Sequence, residues 1–273
     1  MSHKLKLMAV LAHPDDESFG LGGTLAKYND EGIETYLVVA TRGERGRFGD
    51  SKKSPGLDTV GKTREDELLA AAKELGIKEV SFLDYLDADL NKADPEEVIE
   101  KIVFHLRRIK PQVVISFDPF GGYGHPDHIA TSQLTTAALV CSGDPKFKFS
   151  KQNQSIHPPH TVAKYYYLTW PEIKTQEYQL AFKELKIIVD GEIRKATPWP
   201  DWSITTWIDT VNYWPQVLRA LQCHKTQMAI FKELDKLPDE THKILWGSQE
   251  FYRVFSLVNA GRGRETDLFN GLR

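Results

Sequence analysis

The chain has 273 residues, of which 41% are hydrophobic and 27% are charged, a globular composition that excludes disordered and fibrous proteins. Its formal net charge is −3, so no overall basic field favours binding to nucleic acid or to an anionic membrane surface. The two cysteines exclude a disulfide framework and favour a cytoplasmic location, and no run approaches the roughly 18 apolar residues of a membrane span.

The first 170 residues alternate strand-like and helix-like segments. The helix predicted over 63–75 is followed by Gly76, where a C-terminal cap belongs, and the helix over 95–109 begins with Pro95. This alternation predicts right-handed crossovers and an α/β, Rossmann-like, mostly parallel sheet with helices on both faces. The predicted strands are 4–12, 33–41, 80–83, 111–118 and 164–169, and the other predicted helices are 19–30 and 125–140.

Beyond Trp170 the alternation weakens and aromatic residues accumulate. Four of the six tryptophans fall between positions 199 and 214, which burial in a core explains best, with a pocket wall or an oligomer surface as the alternatives. We therefore expect one domain over 1–273, with a Rossmann-like core in 1–170 and an aromatic-rich subregion in 171–273 that completes the fold. Strands are predicted over 203–208 and 250–258, helices over 214–222 and 227–237, and a loop insertion over 141–160.

Metal-binding residue types cluster in two loops, each directly after a predicted strand. In open α/β sheets, ligands bind outside the carboxyl ends of the strands, near the point where the strand order reverses. Zinc is held by two imidazoles and one carboxylate, with a fourth position left for water. Of the candidates His13, Asp15, Asp16, Tyr123, His125, Asp127 and His128, we predict that His13, Asp16 and His128 bind the metal.

The remaining side chains of the two loops suit hydrolysis of an amide. Zn²⁺ with Asp16 and two neutral histidines leaves one positive charge, and the Asp15 carboxylate brings the centre near neutrality, which suits a neutral substrate. Asp15 is therefore the predicted general base. His125 is predicted to stabilise the oxyanion or protonate the leaving group, with Tyr123 as a second oxyanion candidate. Asp127 is predicted to orient a histidine.

The runs AHPDDE at 12–17 and HPDH at 125–128 resemble the PIG-L/LmbE family of zinc-dependent N-acetylglucosamine deacetylases. That family includes mycothiol and bacillithiol biosynthetic deacetylases and a mycothiol-conjugate amidase. The similarity extends to 41–44, 63–67, 224–227 and 250–255, and is weakest over 142–222. It implies the same metal ligands, Asp15 as the base and His125 on the oxyanion side, and it matches Tyr123 to a tyrosine proposed to assist the transition state. It also places Arg64 and Asp87 near positions that hold sugar hydroxyls, whereas from the residues alone Arg64 is better explained as a surface ion-pairing residue.

The predicted function is metal-dependent removal of an N-acetyl group from a small N-acetylglucosamine derivative, with Zn²⁺ as cofactor and Fe²⁺ as a possible substitute. The alternatives are an amidase for another amide, such as a thiol-sugar conjugate, and a non-catalytic metal- or sugar-binding protein. A dinucleotide site is disfavoured, because Gly20, Gly22 and Gly23 lie inside a helix after three carboxylates. The expected partner is an N-acylated amino sugar, without nucleic acid or membrane, and a homo-oligomer is possible. The basic loop over 42–53 is predicted to be solvated, with recognition of an anionic aglycone as its alternative.

Overall fold

The computed structural model describes residues 4–150, 157–182, 186–189, 191–229, 234–261 and 263–273. Within these ranges the chain forms nine strands and nine helices, four of which are one or two turns long. The strands are β1 (Lys6–Leu11), β2 (Glu34–Thr41), β3 (Glu79–Tyr85), β4 (Val113–Phe117), β5 (Lys164–Leu168), β6 (Lys186–Val189), β7 (Glu192–Lys195), β8 (Thr206–Asp209) and β9 (Ser248–Ser256). The helices are α1 (Asp16–Asp30), α2 (Leu57–Leu75), α3 (Pro95–Ile109), α4 (Gly121–Gly124), α5 (Pro126–Gly143), α6 (Thr175–Phe182), α7 (Trp214–Cys223), α8 (Lys225–Met228) and α9 (Asp239–Trp246).

Seven strands form one sheet in the order β3-β2-β1-β4-β5-β9-β8. Strands β1 to β5 pair in parallel, β9 is antiparallel to β5, and β8 is antiparallel to β9. The mostly parallel Rossmann-like sheet predicted from the sequence is therefore confirmed. Strands β8 and β9 come from the last third of the chain and extend the same sheet, and the single domain over 1–273 stays a prediction.

Both faces of the sheet are buried under helices. Along β1, Leu7, Ala9 and Leu11 pack into one hydrophobic cluster, while Met8 and Val10 pack into the other. The first cluster includes side chains of α1, α2 and α7, and the second includes side chains of α3 and α5. Burial on both faces explains why β1 reads as a continuous apolar run instead of an alternating one.

Several predicted boundaries need correction. Helix α2 begins at Leu57, six residues before the predicted start, and α5 continues to Gly143, three residues into the predicted loop insertion. A continuous helix over 227–237 is wrong in the described residues, because α8 ends at Met228 and a separate 3₁₀ turn follows at Leu234–Lys236. Residues 230–233 lie outside the described residues, as do residues 151–156 of the loop. The prediction missed α6, α9 and the hairpin β6–β7, whose strands are four residues each and too short to show a period.

The tryptophans do not share one environment. Of the four between positions 199 and 214, Trp202 is 86% exposed, so the core interpretation is wrong for it, and the other three are half-buried, whereas Trp246 is fully buried. Trp170 and Trp199 lie beside the candidate site described below. The aromatic-rich segment thus supplies both core and pocket.

Cys141 and Cys223 are both free thiols. Among the described residues, no helix is both long enough and apolar enough to cross a membrane. The cytoplasmic location and a homo-oligomeric state stay predictions.

Glu265 ties the C-terminal segment to β5 through a buried polar network, and this network should make stability depend on acid pH. Its carboxylate accepts hydrogen bonds from Lys164 Nζ at 2.7 Å and from Tyr166 Oη at 2.8 Å, and pairs with Arg253 Nη1 at 2.9 Å. Burial alone would raise the pKa of Glu265, but the hydrogen bonds from Lys164, Asn259 and Tyr166 lower it to about 2.

Because the folded-state pKa lies below the unfolded one, the stabilisation is present above pH ~4.5 and is lost as the pH falls towards 2. We expect this group to contribute on the order of 2–3 kcal/mol to the pH dependence of unfolding. Urea unfolding at pH 7, 4.5 and 3 measures this contribution. Glu265→Gln should have a lower free energy of unfolding than the wild type at pH 7, and that free energy should change less with pH. An unchanged slope in Glu265→Gln would contradict the prediction.

Candidate active site

The two histidine-rich loops meet at the carboxyl edge of the sheet. The loop after β1 carries His13, Asp15 and Asp16, and the segment after β4 carries His125 and His128. Strand β1 pairs with β2 on one side and with β4 on the other, so the chain leaves β1 and β4 at the point where the strand order reverses. The structure thus brings the two loops together where the sequence predicted a ligand site.

The side chains of His13, Asp16 and His128 converge, and Asp16 approaches the two imidazoles through different oxygens. His13 Nδ1 lies 3.2 Å from His128 Nε2 and 3.7 Å from Asp16 Oδ2, and His128 Nε2 lies 3.5 Å from Asp16 Oδ1. Ligand atoms of tetrahedral zinc, each about 2.0–2.2 Å from the ion, are about 3.4 Å apart. The separations of His128 Nε2 from His13 Nδ1 and from Asp16 Oδ1 are therefore close to those around a zinc-sized ion.

The outer nitrogen of each imidazole is held by an acceptor. His13 Nε2 lies 3.1 Å from Asp87 Oδ1 and 3.3 Å from Asp127 Oδ2, and His128 Nδ1 lies 3.2 Å from the Gly121 carbonyl oxygen. These acceptors favour the proton on the outer nitrogen, which would leave the lone pair of each inner nitrogen free for a metal ion held together with Asp16. The Asp127 contact agrees with its predicted orienting role, whereas the Asp87 contact with His13 was not anticipated.

The site has an excess of carboxylates around His13. Burial opposes protonation of His13, but hydrogen bonds to Asp127 and Asp87 and the charge of Asp16 raise its pKa to about 10. Burial raises the pKa of Asp16 to about 6, against the opposing charge of His13. These shifts indicate that the surroundings favour a positive charge at this point, which a proton or a metal cation can supply. Other potential ligand groups are His13, His125 and His128 together, and His13, Asp87 and Asp127 together.

Asp15 is held in a strained backbone conformation next to this set. Its φ is 110°, a left-handed value that few residues other than glycine adopt. Its carboxylate accepts a hydrogen bond from Arg64 Nη2 at 3.1 Å. Burial raises the pKa of Asp15 to about 6, while the charge of Arg64 opposes the shift. A carboxylate with a pKa near neutrality is suited to accept and return a proton.

A buried ion pair holds the backbone of Asp15. Glu17 Oε2 accepts a hydrogen bond from the Asp15 backbone N–H at 3.0 Å, and Glu17 Oε1 lies 2.7 Å from His224 Nε2. Both Glu17 and His224 are fully buried. Burial opposes protonation of His224, but the charge of Glu17 raises its pKa. Sequence reasoning gave His224 no role beyond the family resemblance of residues 224–227 (HKTQ), since its partner lies 207 positions away.

His125 presents one nitrogen towards the site as a donor. Its Nδ1 accepts a hydrogen bond from the Asp127 backbone N–H at 3.2 Å. Burial and the charges of His13 and His128 lower its pKa to about 3, so the neutral ring carries its proton on Nε2. The Tyr123 ring stands edge-on to His128 with centroids 5.2 Å apart, so both predicted oxyanion residues lie beside the candidate metal ligands.

The segment that carries Tyr123 is held by an aspartate that sequence reasoning missed. Asp118 is 2% exposed and accepts hydrogen bonds from the Gly122 backbone N–H at 2.9 Å and from Trp199 Nε1 at 2.6 Å. Gly122 has a φ of 70°, which glycine adopts without strain. The position of Asp118 directly after β4 is a signal in the sequence, but nothing there points to Trp199.

Arg64 is buried, at 4% exposure, so its interpretation as a surface residue is wrong although it does form an ion pair. Besides Asp15, its guanidinium donates to the Pro14 carbonyl at 2.6 Å and to the Gly43 carbonyl at 2.8 Å. A Cβ at Gly43 would lie 2.0 Å from Arg64 Nη1, so only glycine fits there. Arg64 therefore links the loop after β1 to the loop after β2.

The basic loop is partly paired. Arg42 Nη1 lies 2.6 Å from Asp84 Oδ1, and Arg45 Nη2 lies 2.6 Å from Asp89 Oδ2. The Gly49 N–H donates to the Thr226 carbonyl at 2.9 Å, which fixes the loop against the HKTQ segment. A wholly solvated loop is thus wrong for Arg42 and Arg45.

The glycines of α1 serve close packing. A Cβ at Gly20 would lie 2.5 Å from Leu168, and a Cβ at Gly23 would lie 2.7 Å from Thr210. Both glycines lie inside α1, so they do not form a phosphate-binding loop before a helix.

A cavity of about 330 Å³ opens beside Asp15 and His128. It runs away from the histidines along α1 and the carboxyl end of β5. Its walls are mainly apolar, and its lining beyond the catalytic candidates includes Phe19, Gly20, Phe117, Leu168, Thr169, Trp170, Tyr178, Thr197, Gln249 and Glu250.

Comparison with known proteins gives a consistent result. Residues 8–139 match the family model described as PIG-L, GlcNAc-PI de-N-acetylase. The chain is 33% identical to the 1D-myo-inositol 2-acetamido-2-deoxy-alpha-D-glucopyranoside deacetylase of Kineococcus radiotolerans, covering 98% of this chain and 83% of that protein. It is 28% identical to the mycothiol S-conjugate amidase of Streptomyces coelicolor, covering 100% and 99%. The N,N'-diacetylchitobiose deacetylase of Pyrococcus horikoshii shares the fold, with a TM-score of 0.70, 21% identity and coverage of 92% and 84%.

Proposed function

The chain belongs to the PIG-L family, and from that premise we propose that it is a metal-dependent hydrolase that removes the N-acetyl group from a small N-acetylglucosamine derivative. The observation that carries this proposal is the convergence of His13, Asp16 and His128 within 3.2–3.7 Å of one another, with Asp15 next to them. Convergence of three ligand-type groups beside a base of raised pKa is typical of a hydrolytic site.

We propose that His13, Asp16 and His128 hold one zinc ion, with Fe²⁺ able to take the same ligands. The acceptors beside the outer nitrogens of both histidines, which favour the tautomer that binds metal, support this assignment. A bound ion of this kind lowers the pKa of water to about 7 and polarises a carbonyl oxygen.

The other side chains have separate roles in the proposed reaction. Asp15 accepts the proton of the attacking water and returns it to the amide nitrogen as the C–N bond breaks, which yields acetate and a free amine. His125 Nε2–H and the Tyr123 hydroxyl donate hydrogen bonds to the oxygen that becomes negative in the tetrahedral intermediate. Glu17 and Arg64 act through Asp15, because both contact it.

Arg64→Lys separates two roles for Arg64. The resemblance suggests that Arg64 holds a sugar hydroxyl, whereas its contacts with Asp15 and the Pro14 carbonyl indicate that it positions the base. Because lysine cannot donate to three acceptors in a fixed plane, we expect kcat to fall at least tenfold with KM changed less than threefold. Steady-state kinetics checks this. A rise in KM with unchanged kcat would support the sugar role instead.

Amine release from a panel of N-acetylglucosaminides tests the function directly. The panel includes free N-acetylglucosamine, its methyl glycoside and its inositol glycoside. We expect release by the zinc-loaded protein, its loss after chelation, and its recovery when zinc is restored. Metal binding without release from any sugar would contradict the deacetylase and favour a binding protein.

The second candidate function is an amidase that removes a group other than acetyl. The observation that favours it is the apolar cavity beside Asp15, which an acetyl methyl does not fill. It uses the same catalytic residues, so only the shape and chemistry of that cavity distinguish the two.

A further inference from the structure

The cavity bounded by α1, β5 and the start of β9 is lined in part by Asp15, Asp16, Tyr123 and His128, and its other walls have no part in the chemistry described above. We propose that it holds the acyl group of the substrate, and that this chain prefers an uncharged, apolar acyl group longer than acetyl. The inference rests on the proposed function, because it concerns the same site and the same amide bond.

The sheet order places the cavity on one side of the scissile bond. The catalytic groups lie at the ends of β1 and β4, and the polar loops lie after β2 and β3. The cavity extends from the catalytic groups to β5 and β9, with Gln227 of α8 also in its wall. Charged groups such as Glu44, Arg45 and Asp87 lie on the β2–β3 side, and none of them lines the cavity.

A substrate amide bridges these two sides. The amide is planar and trans, so the sugar on its nitrogen and the chain on its carbonyl carbon point in opposite directions. A hydroxyl-rich sugar is best matched by the charged side, which leaves the apolar side for the acyl chain. The arrangement therefore directs the acyl group towards Leu168 and Trp170.

The walls are suited to hydrocarbon. Phe19, Leu168, Trp170 and Tyr178 line the cavity, and the Trp170 and Tyr178 rings are 3.9 Å apart between centroids. A volume of about 330 Å³ is within the range of small-molecule sites, roughly 300–1,000 Å³, and well beyond the needs of one methyl group.

Apart from the catalytic candidates, the charged groups of the cavity wall are Asp118 and Glu250, and the carboxylate of Asp118 accepts hydrogen bonds from Gly122 N–H and Trp199 Nε1. Glu250 is 2% exposed and pairs with Lys174 Nζ at 2.8 Å, so its charge is balanced within the protein. Thr169 is 8% exposed, and its Oγ1 has no hydrogen-bond partner among the described residues. One unpartnered hydroxyl can serve one polar atom of a neutral acyl chain, whereas an anionic acyl group would find no lysine or arginine in the wall.

A series of acyl groups on one methyl glucosaminide tests the inference. The members are acetyl, butanoyl, hexanoyl and phenylacetyl, with succinyl as the charged member of the series, and amine release is followed with zinc-loaded protein. Each buried methylene should raise kcat/KM by about fourfold, which corresponds to ~0.8 kcal/mol. We therefore expect butanoyl to exceed acetyl by about fifteenfold, and succinyl to fall below acetyl.

Two substitutions at one position give opposite expectations. Leu168→Phe narrows the cavity and should lower the hexanoyl-to-acetyl ratio of kcat/KM, and Leu168→Ala widens it and should raise that ratio. Leu257, which is 64% exposed just after β9, provides the control, since Leu257→Ala should leave the ratio unchanged.

The outcomes separate this inference from the proposed function. Hydrolysis that is fastest with acetyl and declines with chain length overturns the inference and leaves the deacetylase standing. The rival occupant of the cavity is the aglycone. A second series keeps the acetyl group and varies the aglycone as methyl, phenyl or octyl, and a size preference found in this series alone also overturns the inference. No hydrolysis of any member overturns both proposals.

Discussion

Asp15→Asn should lower kcat by a factor of 10²–10⁴ while the protein keeps its metal. Asparagine has nearly the size of aspartate and tolerates the positive φ of 110° at this position better than alanine does, so the loop should keep its conformation. The amide oxygen still accepts a hydrogen bond from Arg64, but it cannot take a proton from water. The expected fall in kcat therefore comes from the loss of proton transfer and not from a change in structure.

Two measurements distinguish the loss of proton transfer from a change in structure. Metal content should equal that of the wild type, and the melting temperature should change by no more than a few degrees. Asp66→Asn, an exposed change on α2, is the matched control and should leave kcat unaltered. If Asp15→Asn retains kcat within tenfold of the wild type, Asp15 is not the general base.

His128→Ala should abolish tight metal binding, and with it the activity. His128 Nε2 lies 3.2 Å from His13 Nδ1 and 3.5 Å from Asp16 Oδ1, so its loss removes one of three converging ligand-type side chains. Changes to residues that only orient a ligand typically cost 10–100-fold in metal affinity, so we expect a loss of more than 100-fold here. Asp87→Asn, which changes an acceptor beside His13, should lower the metal affinity by only 10–100-fold.

Metal analysis after equilibrium dialysis, with a competing chelator at graded concentrations, measures both affinities. His105→Ala is the control, because His105 lies near Arg108 and Glu79, at the opposite edge of the sheet where β3 begins. A full metal complement in His128→Ala under these conditions would remove His128 from the set of ligands.

Much of the fold was predictable because its signals are local. The apolar strands β1, β2 and β4, and the helix α3 with Pro95 at its start, follow from residues within one segment. The spacing of His13, Asp16 and His128 was predictable for a related reason, since parallel strands bring their carboxyl ends to one edge.

The contacts that hold the site together were not predictable. Glu17 and His224 are 207 positions apart, and Asp118 and Trp199 are 81 positions apart. Each contact depends on how the last third of the chain packs on the sheet, and no residue pattern within a single segment predicts that packing. The role of Arg64 was misjudged in the same way, because only the folded loops show that its guanidinium is enclosed.

The antiparallel direction of β9 has a consequence for how this enzyme can diverge. Because β9 runs opposite to β5, its first residues, including Gln249 and Glu250, reach the edge where the parallel strands end. The residues proposed for catalysis lie between His13 and His128, inside the segment 8–139 that matches the family model, whereas Leu168, Trp170, Tyr178 and Glu250 lie outside it. Substitutions in the later segment can therefore change which amide is accepted without altering the machinery that breaks it.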